Sequence, residues 1–219
     1  MTEMSMDDEA EVRRVAADLD AIDTQGFPRS FRHLAVIQRV SVAVTLKQSE
    51  DALRHLDELD REDLPLFDLP VRHFLRASAS LGMERWDEAA QAAQRYLSLL
   101  GEDAEAYSLL GLAQAGQEDL DAALASFDKG IDDEPLLPDN YAAIAYTAMD
   151  TALLAERLQR APDHEVLDGI AQWLVDSEDQ EGLNALLSAA ARSQPSWDIR
   201  PWTAKAAELR AGRDADSTK

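Results

Sequence analysis

Gly82–Gln94 reads GMERWDEAAQAAQ, and Gly116–Asp128 reads GQEDLDAALASFD. Set one under the other, Gly82 falls on Gly116, Glu84 on Glu118, Asp87 on Asp121 and Ala89 on Ala123, with the large apolar Trp86 above Leu120. The offset is about 34 residues, the length of a helix–turn–helix unit that repeats by stacking. Each matched position has a physical task. A helix running into Gly82 or Gly116 can end there in a left-handed conformation, because glycine lacks the Cβ that opposes it. The acidic residues that follow suit the positive N-terminal end of the next helix. Ala89 and Ala123 are small enough for two helices to approach closely, and Phe127, one turn beyond Ala123, fills the space between neighbouring pairs. Pro135 closes the second helix, since proline disfavours helix in the residue before it.

Working outward, the same alternation continues. Ser30 is placed to cap a helix carrying Leu34, Ile37, Val40 and Val44, and SEDALRHLDELD from Ser49 puts Ala52, Leu56 and Leu59 on one face. Downstream, Asn140 to Met149 and Thr151 to Arg160 read as a helix pair, ended by Ala161-Pro162-Asp163. Leu167, Ile170, Ala171 and Leu174 mark the next helix. Ser177 to Gln180 reads as a capping box opening a helix with Leu183, Leu187 and Ala190, which Pro195 ends. A last helix over about Ile199 to Ala211 reads as the polar cap that an open stack of helices needs, with GRDADSTK as a frayed tail. Ahead of all this, Val12, Val15, Leu19 and Ile22 make one face of an amphipathic helix over Asp7 to Asp23, broken by Gly26-Phe27-Pro28. That helix reads as a cover for the first repeat, or as a docking helix for a groove in this molecule or a neighbour. The division expected is an arm over 1–28, helical repeats over 29–196 and a capping helix with tail over 197–219.

Composition agrees with helix. The chain has 219 residues, 46% of them hydrophobic but only 6% aromatic, so its core must come from Ala, Leu, Val and Ile. The net charge of −22 repels phosphate backbones and anionic bilayers, which sets nucleic-acid and membrane-surface binding aside. With no cysteine, disulfides, thiolate catalysis and cysteine-bound zinc are excluded. No apolar run reaches the roughly 18 residues that span a bilayer, and MTEMSMDDEAEV carries no apolar signal core. A cytoplasmic location is expected.

Ala104 to Pro138 resembles a tetratricopeptide repeat. The family's large residue early in its first helix matches Tyr107, its Leu-Gly pair matches Leu110-Gly111, its small residues match Ala123 and Gly130, its aromatic matches Phe127 and its closing proline matches Pro135. Gln114 stands where the family has tyrosine. Pro70 to Asp103 is a weaker copy, with Ala77 for the glycine and Gly101 for the proline. The resemblance implies an all-α fold: a right-handed tetratricopeptide-like α-solenoid of about four to five helix pairs with a C-terminal capping helix. It also implies that the first helix of each pair lines a concave surface. The inward positions are then Val71, Phe74, Ser78 and Leu81; Glu105, Ser108, Leu112 and Ala115; and Asp139, Ala142, Tyr146 and Met149. Family members that grip a chaperone's carboxyl terminus do so with lysine, arginine and asparagine there, and none of these positions carries one.

The candidate partner-binding residues are therefore Phe74, Ser78, Leu81, Ser108, Leu112, Tyr146 and Met149. An apolar lining with acid at its edge suits a protein or peptide segment with apolar anchors and basic flanks. No catalytic residue, cofactor or metal is expected. His33, His55, His73 and His164 include no pair at the spacing of a helical zinc site, and GxSxG, GxGxxG and GxxxxGK[ST] are all absent. The acidic runs lack the ligand order of a calcium loop. The expectation is a binding scaffold or adaptor rather than an enzyme. A secretion or assembly chaperone holding one client, and a self-associating scaffold, are the alternatives.

Overall fold

The computed structural model describes residues 6–23, 26–61, 69–147, 151–160 and 163–216. Among the described residues there are twelve α-helices and no strand, so the fold is all-α. The chain divides into two compact units, one ending at Ala123 and the other beginning at Leu124. In the first are α1 (Met6–Ala21), α2 (Arg29–Thr45), α3 (Ser49–Asp60), α4 (Leu69–Leu81), α5 (Trp86–Leu100), α6 (Ala104–Gly116) and the opening turn of α7 (Leu120–Asp133). In the second are the rest of α7, α8 (Asp139–Tyr146), α9 (Thr151–Leu158), α10 (His164–Asp176), α11 (Gln180–Ser193) and α12 (Arg200–Asp216). The division falls inside α7. Helix α12 continues to Asp216, through most of the stretch read as a frayed tail.

One corner recurs. Lys47, Glu84, Glu118 and Glu178 each join two helices, and they have φ of 57°, 55°, 64° and 53°. At each corner the left-handed residue's own N–H donates three residues back: Lys47 to Val44 O at 3.0 Å, Glu84 to Leu81 O at 3.0 Å, Glu118 to Ala115 O at 2.9 Å and Glu178 to Val175 O at 2.9 Å. The next N–H reaches five back: Gln48 to Ala43 O, Arg85 to Ser80 O, Asp119 to Gln114 O and Asp179 to Leu174 O, all between 2.8 and 3.0 Å. These bonds satisfy carbonyls that a helix end leaves without partners.

Gly82 and Gly116 are therefore equivalent, but the role read for them is corrected. The left-handed residue is the glutamate two positions on, not the glycine. The glycines permit close approach instead. A Cβ on Gly116 would run into the indole of Trp86, with Cε3 only 2.6 Å away, and one on Gly82 would meet the hydroxyl of Ser49. Trp86 and Ser49 both open the second helix of the preceding pair, so the two contacts are equivalent as well.

Aspartate starts several helices. Asp103 accepts from Ala106 N at 2.8 Å, Asp119 from Ala122 N at 3.1 Å, Asp163 from Val166 N at 3.2 Å and Asp179 from Gly182 N at 3.0 Å. Part of the chain's acidity is thus spent on orphan N–H groups at positive helix ends. Two expected caps move. Ser30 lies inside α2, whose N-cap is Pro28, and α11 is capped by Asp179 rather than by a box starting at Ser177.

In the first unit α2 packs on α3, α4 on α5, and α4 also on α2 and α6. One core cluster joins Ile37, Val40, Leu53, Leu56, Leu59 and Leu75. A second is largely alanine: Ala77, Ala89, Ala90, Ala92, Ala93 and Ala113 around Tyr107 and Leu110. Small side chains let these helices sit close, so backbone contact replaces side-chain bulk. A charged seam ties α3, α4 and α5. Arg76 donates to Asp57 (2.9 Å), Asp60 (2.7 Å) and Glu88 (2.9 Å), and buried Arg72 pairs with Asp60. Burial, then the neighbouring Arg76, lowers the pKa of Arg72 from its ordinary value.

Helix α1 packs on α2, where Arg39 donates to the carbonyls of Leu19 (2.6 Å) and Ile22 (3.2 Å). Val15 and Ile22, expected on its covered face, remain 42% and 40% exposed.

The second unit uses larger aliphatic side chains. Ile144, Leu154, Leu158, Leu167, Ile170, Leu174, Leu183 and Leu186 are almost fully buried where α8, α9, α10 and α11 meet. Arg157 bridges α9 to Asp128 of α7 at 2.8 Å, and this bond raises the pKa of the guanidinium. The turn before α12 is latched to α10: Asp168 Oδ1 accepts the indole N–H of both Trp197 (3.0 Å) and Trp202 (2.8 Å).

Candidate partner-binding surface

The repeated corner supplies a register for the first helix of each pair. Counting back from the left-handed residue, Leu34, Val71 and Glu105 are equivalent on α2, α4 and α6. So are Ile37, Phe74 and Ser108; then Ser41, Ser78 and Leu112; then Val44, Leu81 and Ala115. Because α2 touches α4 and α4 touches α6, these rows lie side by side.

The rows differ in what they offer to solvent. Leu34 is 51% exposed and Val71 is 46% exposed, and Phe31, one turn before Leu34, is 62% exposed. Apolar side chains this open on adjacent helices cannot be explained as core. Glu105 closes the same row with acid. One row deeper, Ile37 is buried, Phe74 is half-buried and Ser108 is only 7% exposed. The Phe74 ring packs on Tyr96 at 5.3 Å, and Tyr96 donates its hydroxyl to Asp103 at 3.1 Å. Burial and then that carboxylate push the Tyr96 phenol up to about 12. Phe74 is thus half-buried on a ring that is itself held in place. Ser78 and Leu112 are half-buried, and Leu81 is half-buried against the alanine cluster.

Of the seven residues singled out in the sequence, Phe74, Ser78, Leu81, Ser108 and Leu112 are brought together on α4 and α6. Ser108 is the least open of them. Tyr146 lies in the second unit, on α8, and Met149 falls outside the described residues. Phe31 and Leu34 were not picked out as surface residues. Leu34 follows the same helical spacing as Ile37 and Val40, which are buried, so periodicity alone placed it in the core. Counting from Lys47 is the signal that separates it.

The second unit presents a different face. The register back from Glu178 gives Glu165, Asp168, Gln172 and Val175 on α10. On α8, Ala142 is fully buried, Asp139 is half-buried and Tyr146 is 50% exposed, its ring 5.8 Å from that of Trp173 and edge-on at 79°. None of the register positions in either unit is lysine or arginine.

His73 is half-buried, and its pKa is lowered first by burial and then by Arg72, Arg95 and Arg76. His164 shares a 3.1 Å hydrogen bond with Ser196, at the base of α12. Among the described residues no three His, Cys, Asp or Glu side chains gather as a metal site would require, and no helix is long and apolar enough to cross a membrane. No protein-family model and no curated protein matches the chain.

Proposed function

We propose that the chain is a tetratricopeptide-like scaffold that captures a segment of a partner protein on the open face of its first helices, and that it binds rather than catalyses. The finer fold reading is a right-handed α-solenoid of five helix pairs, α2–α3 to α10–α11, capped by α12. The recurrence of one corner geometry at Lys47, Glu84, Glu118 and Glu178 supports the repetition in four of these pairs, α2–α3, α4–α5, α6–α7 and α10–α11. The observation that carries the function is the exposed apolar row of Phe31, Leu34 and Val71, backed by Phe74 and Leu112 and edged by Glu105. Adjacent open apolar side chains of this kind mark interaction sites. The partner segment has apolar anchors and basic flanks, as the acid edge favours. An adaptor working in the cytoplasm fits this chemistry.

A peptide-display selection on the purified chain tests the proposal without knowledge of the natural partner. Wild-type protein should enrich sequences with apolar anchors and basic flanks. Leu34→Asp, Val71→Asp and Leu112→Glu should remove that enrichment while circular dichroism still reports the folded helices. Equal enrichment on the variants, or no enrichment on the wild type, would refute the assignment.

One observation favours self-association as a second reading. Val15 and Ile22 leave the apolar stripe of α1 partly uncovered. Light scattering on a chain lacking residues 1–26 decides it, since an unchanged mass removes the arm from consideration.

A further inference from the structure

We infer that α8 and α10 form a docking site for a basic protein segment, with an arginine or lysine side chain laid on the ring of Tyr146. This deepens the reading above, and rests on it in taking the ligand to be a segment of a protein.

Tyr146 supplies the specific element. Half of its surface is open, and the edge-on contact with Trp173 holds the ring in one orientation. A tyrosine face attracts a cation through its quadrupole, most strongly where the ring does not have to be ordered on binding. The charge on these two helices has one sign; α12, which packs on α10, brings Arg200 and Lys205, already paired with Asp198 and Glu208, and Arg210. Between Arg160 and Arg192 the sequence contains no lysine or arginine, and it contains Asp163, Glu165, Asp168, Asp176, Glu178, Asp179 and Glu181. Helix α8 adds Asp139 and no cation. The nearest guanidinium groups in sequence, Arg157 and Arg160 of α9 and the turn after it, are held by Asp128, Asp132 and Glu156. An incoming cation therefore meets attraction without a competing side chain on either helix.

Of the register positions of α10 before Val175, Asp168 is engaged by Trp197 and Trp202 and Gln172 by Asp176, which leaves the exposed Glu165 as the carboxylate that a purely apolar segment would not satisfy. A nucleic acid is repelled by the same charge.

The test uses the full chain and a short synthetic peptide of alternating arginine and glycine. Its controls are the same peptide with lysine, and with citrulline, which keeps the shape and removes the charge. Saturable binding of the arginine and lysine peptides is expected, with NMR shifts centred on Tyr146, Trp173 and α10. The citrulline peptide should not bind. Tyr146→Ala and Tyr146→Leu should each weaken the arginine peptide about fivefold, while Tyr146→Phe, which keeps the π-face, should bind as wild type. Tyr146→Leu preserves the apolar bulk, so it separates loss of the π-face from loss of packing. Added salt should weaken binding further. Equal binding of the citrulline peptide, unchanged affinity in Tyr146→Leu, or shifts centred elsewhere would overturn the inference. The readout lies on α8 and α10. Its failure therefore leaves the face of α2, α4 and α6 untouched, and failure of the display selection is visible separately.

Discussion

On α4 the register before the left-handed corner reads Val71, Phe74, Ser78 and Leu81; on α10 the same register reads Glu165, Asp168, Gln172 and Val175. The backbone frame is the same at both corners, down to the two hydrogen bonds that close each one. The frame therefore does not decide what the surface binds. In the first unit it carries open apolar side chains, over an aliphatic cluster beneath α2 and an alanine-rich one beneath α4 and α6. In the second it carries carboxylates over an aliphatic interior, and one of those carboxylates is engaged by two tryptophans. A repeat fixes where side chains point, and the individual residues then set the chemistry of each stretch.

The contrast in packing makes the strongest prediction. Leu174 is fully buried on α10, among large aliphatic neighbours. Leu174→Ala should cost about 3 kcal/mol in urea unfolding, because neighbours of that size leave a cavity they cannot close. Added volume should cost stability where helices approach closely at a glycine. Gly116→Ala should cost about 2 kcal/mol, since its methyl has to displace the Trp86 ring. Gly82→Ala should cost less, because the Ser49 hydroxyl that it meets can turn aside. If the two glycine variants were equally mild, close approach to the Trp86 ring would not be what reserves position 116 for glycine.

The latch in the second unit gives a smaller effect. Asp168→Ala removes the shared acceptor of the Trp197 and Trp202 indoles. It should cost about 1 kcal/mol and speed hydrogen exchange of the α12 amides while leaving those of α8 and α9 unchanged. Smallest of all is a gain. Glu84, Glu118 and Glu178 hold a left-handed backbone that a Cβ disfavours. Each Glu→Gly change should stabilise by about 0.5 kcal/mol, the relief of strain being offset in part by glycine's greater freedom when unfolded. The gain should be the same in both units if the corners are truly equivalent.

Much of the fold is legible in the residues themselves. Helix α3 covers Ser49–Asp60, the same twelve residues that the Ala52, Leu56 and Leu59 periodicity marks out, because an amphipathic stripe and its polar face are both local. The equivalence of Gly82 and Gly116 is visible for the same reason. The conformation at each corner is not. A glycine next to a turn reads as the left-handed residue, whereas tertiary contact with Trp86 or Ser49 reserves it for close approach and leaves the strain to glutamate. The Asp168 latch joins residues far apart in sequence, and no local pattern announces it. The candidate surface is legible on α4 and α6, where the family resemblance gives the inward positions. On α2 it is not, since Leu34 shares the spacing of Ile37 and Val40 and only the register from Lys47 places it in solvent.

The proposed function places a partner segment on the apolar row of the first unit. Photo-crosslinking in the protein's own host tests it most directly, with benzoylphenylalanine placed in turn at Leu34, Val71, Leu99 and Leu136. All four positions are comparably exposed, at 51%, 46%, 40% and 59%, but only the first two lie on the row. The account predicts a shared adduct at Leu34 and Val71, mapping to a segment with apolar anchors and basic flanks, and none at Leu99 or Leu136. Adducts of equal yield at all four positions, or at Leu99 and Leu136 alone, would contradict it.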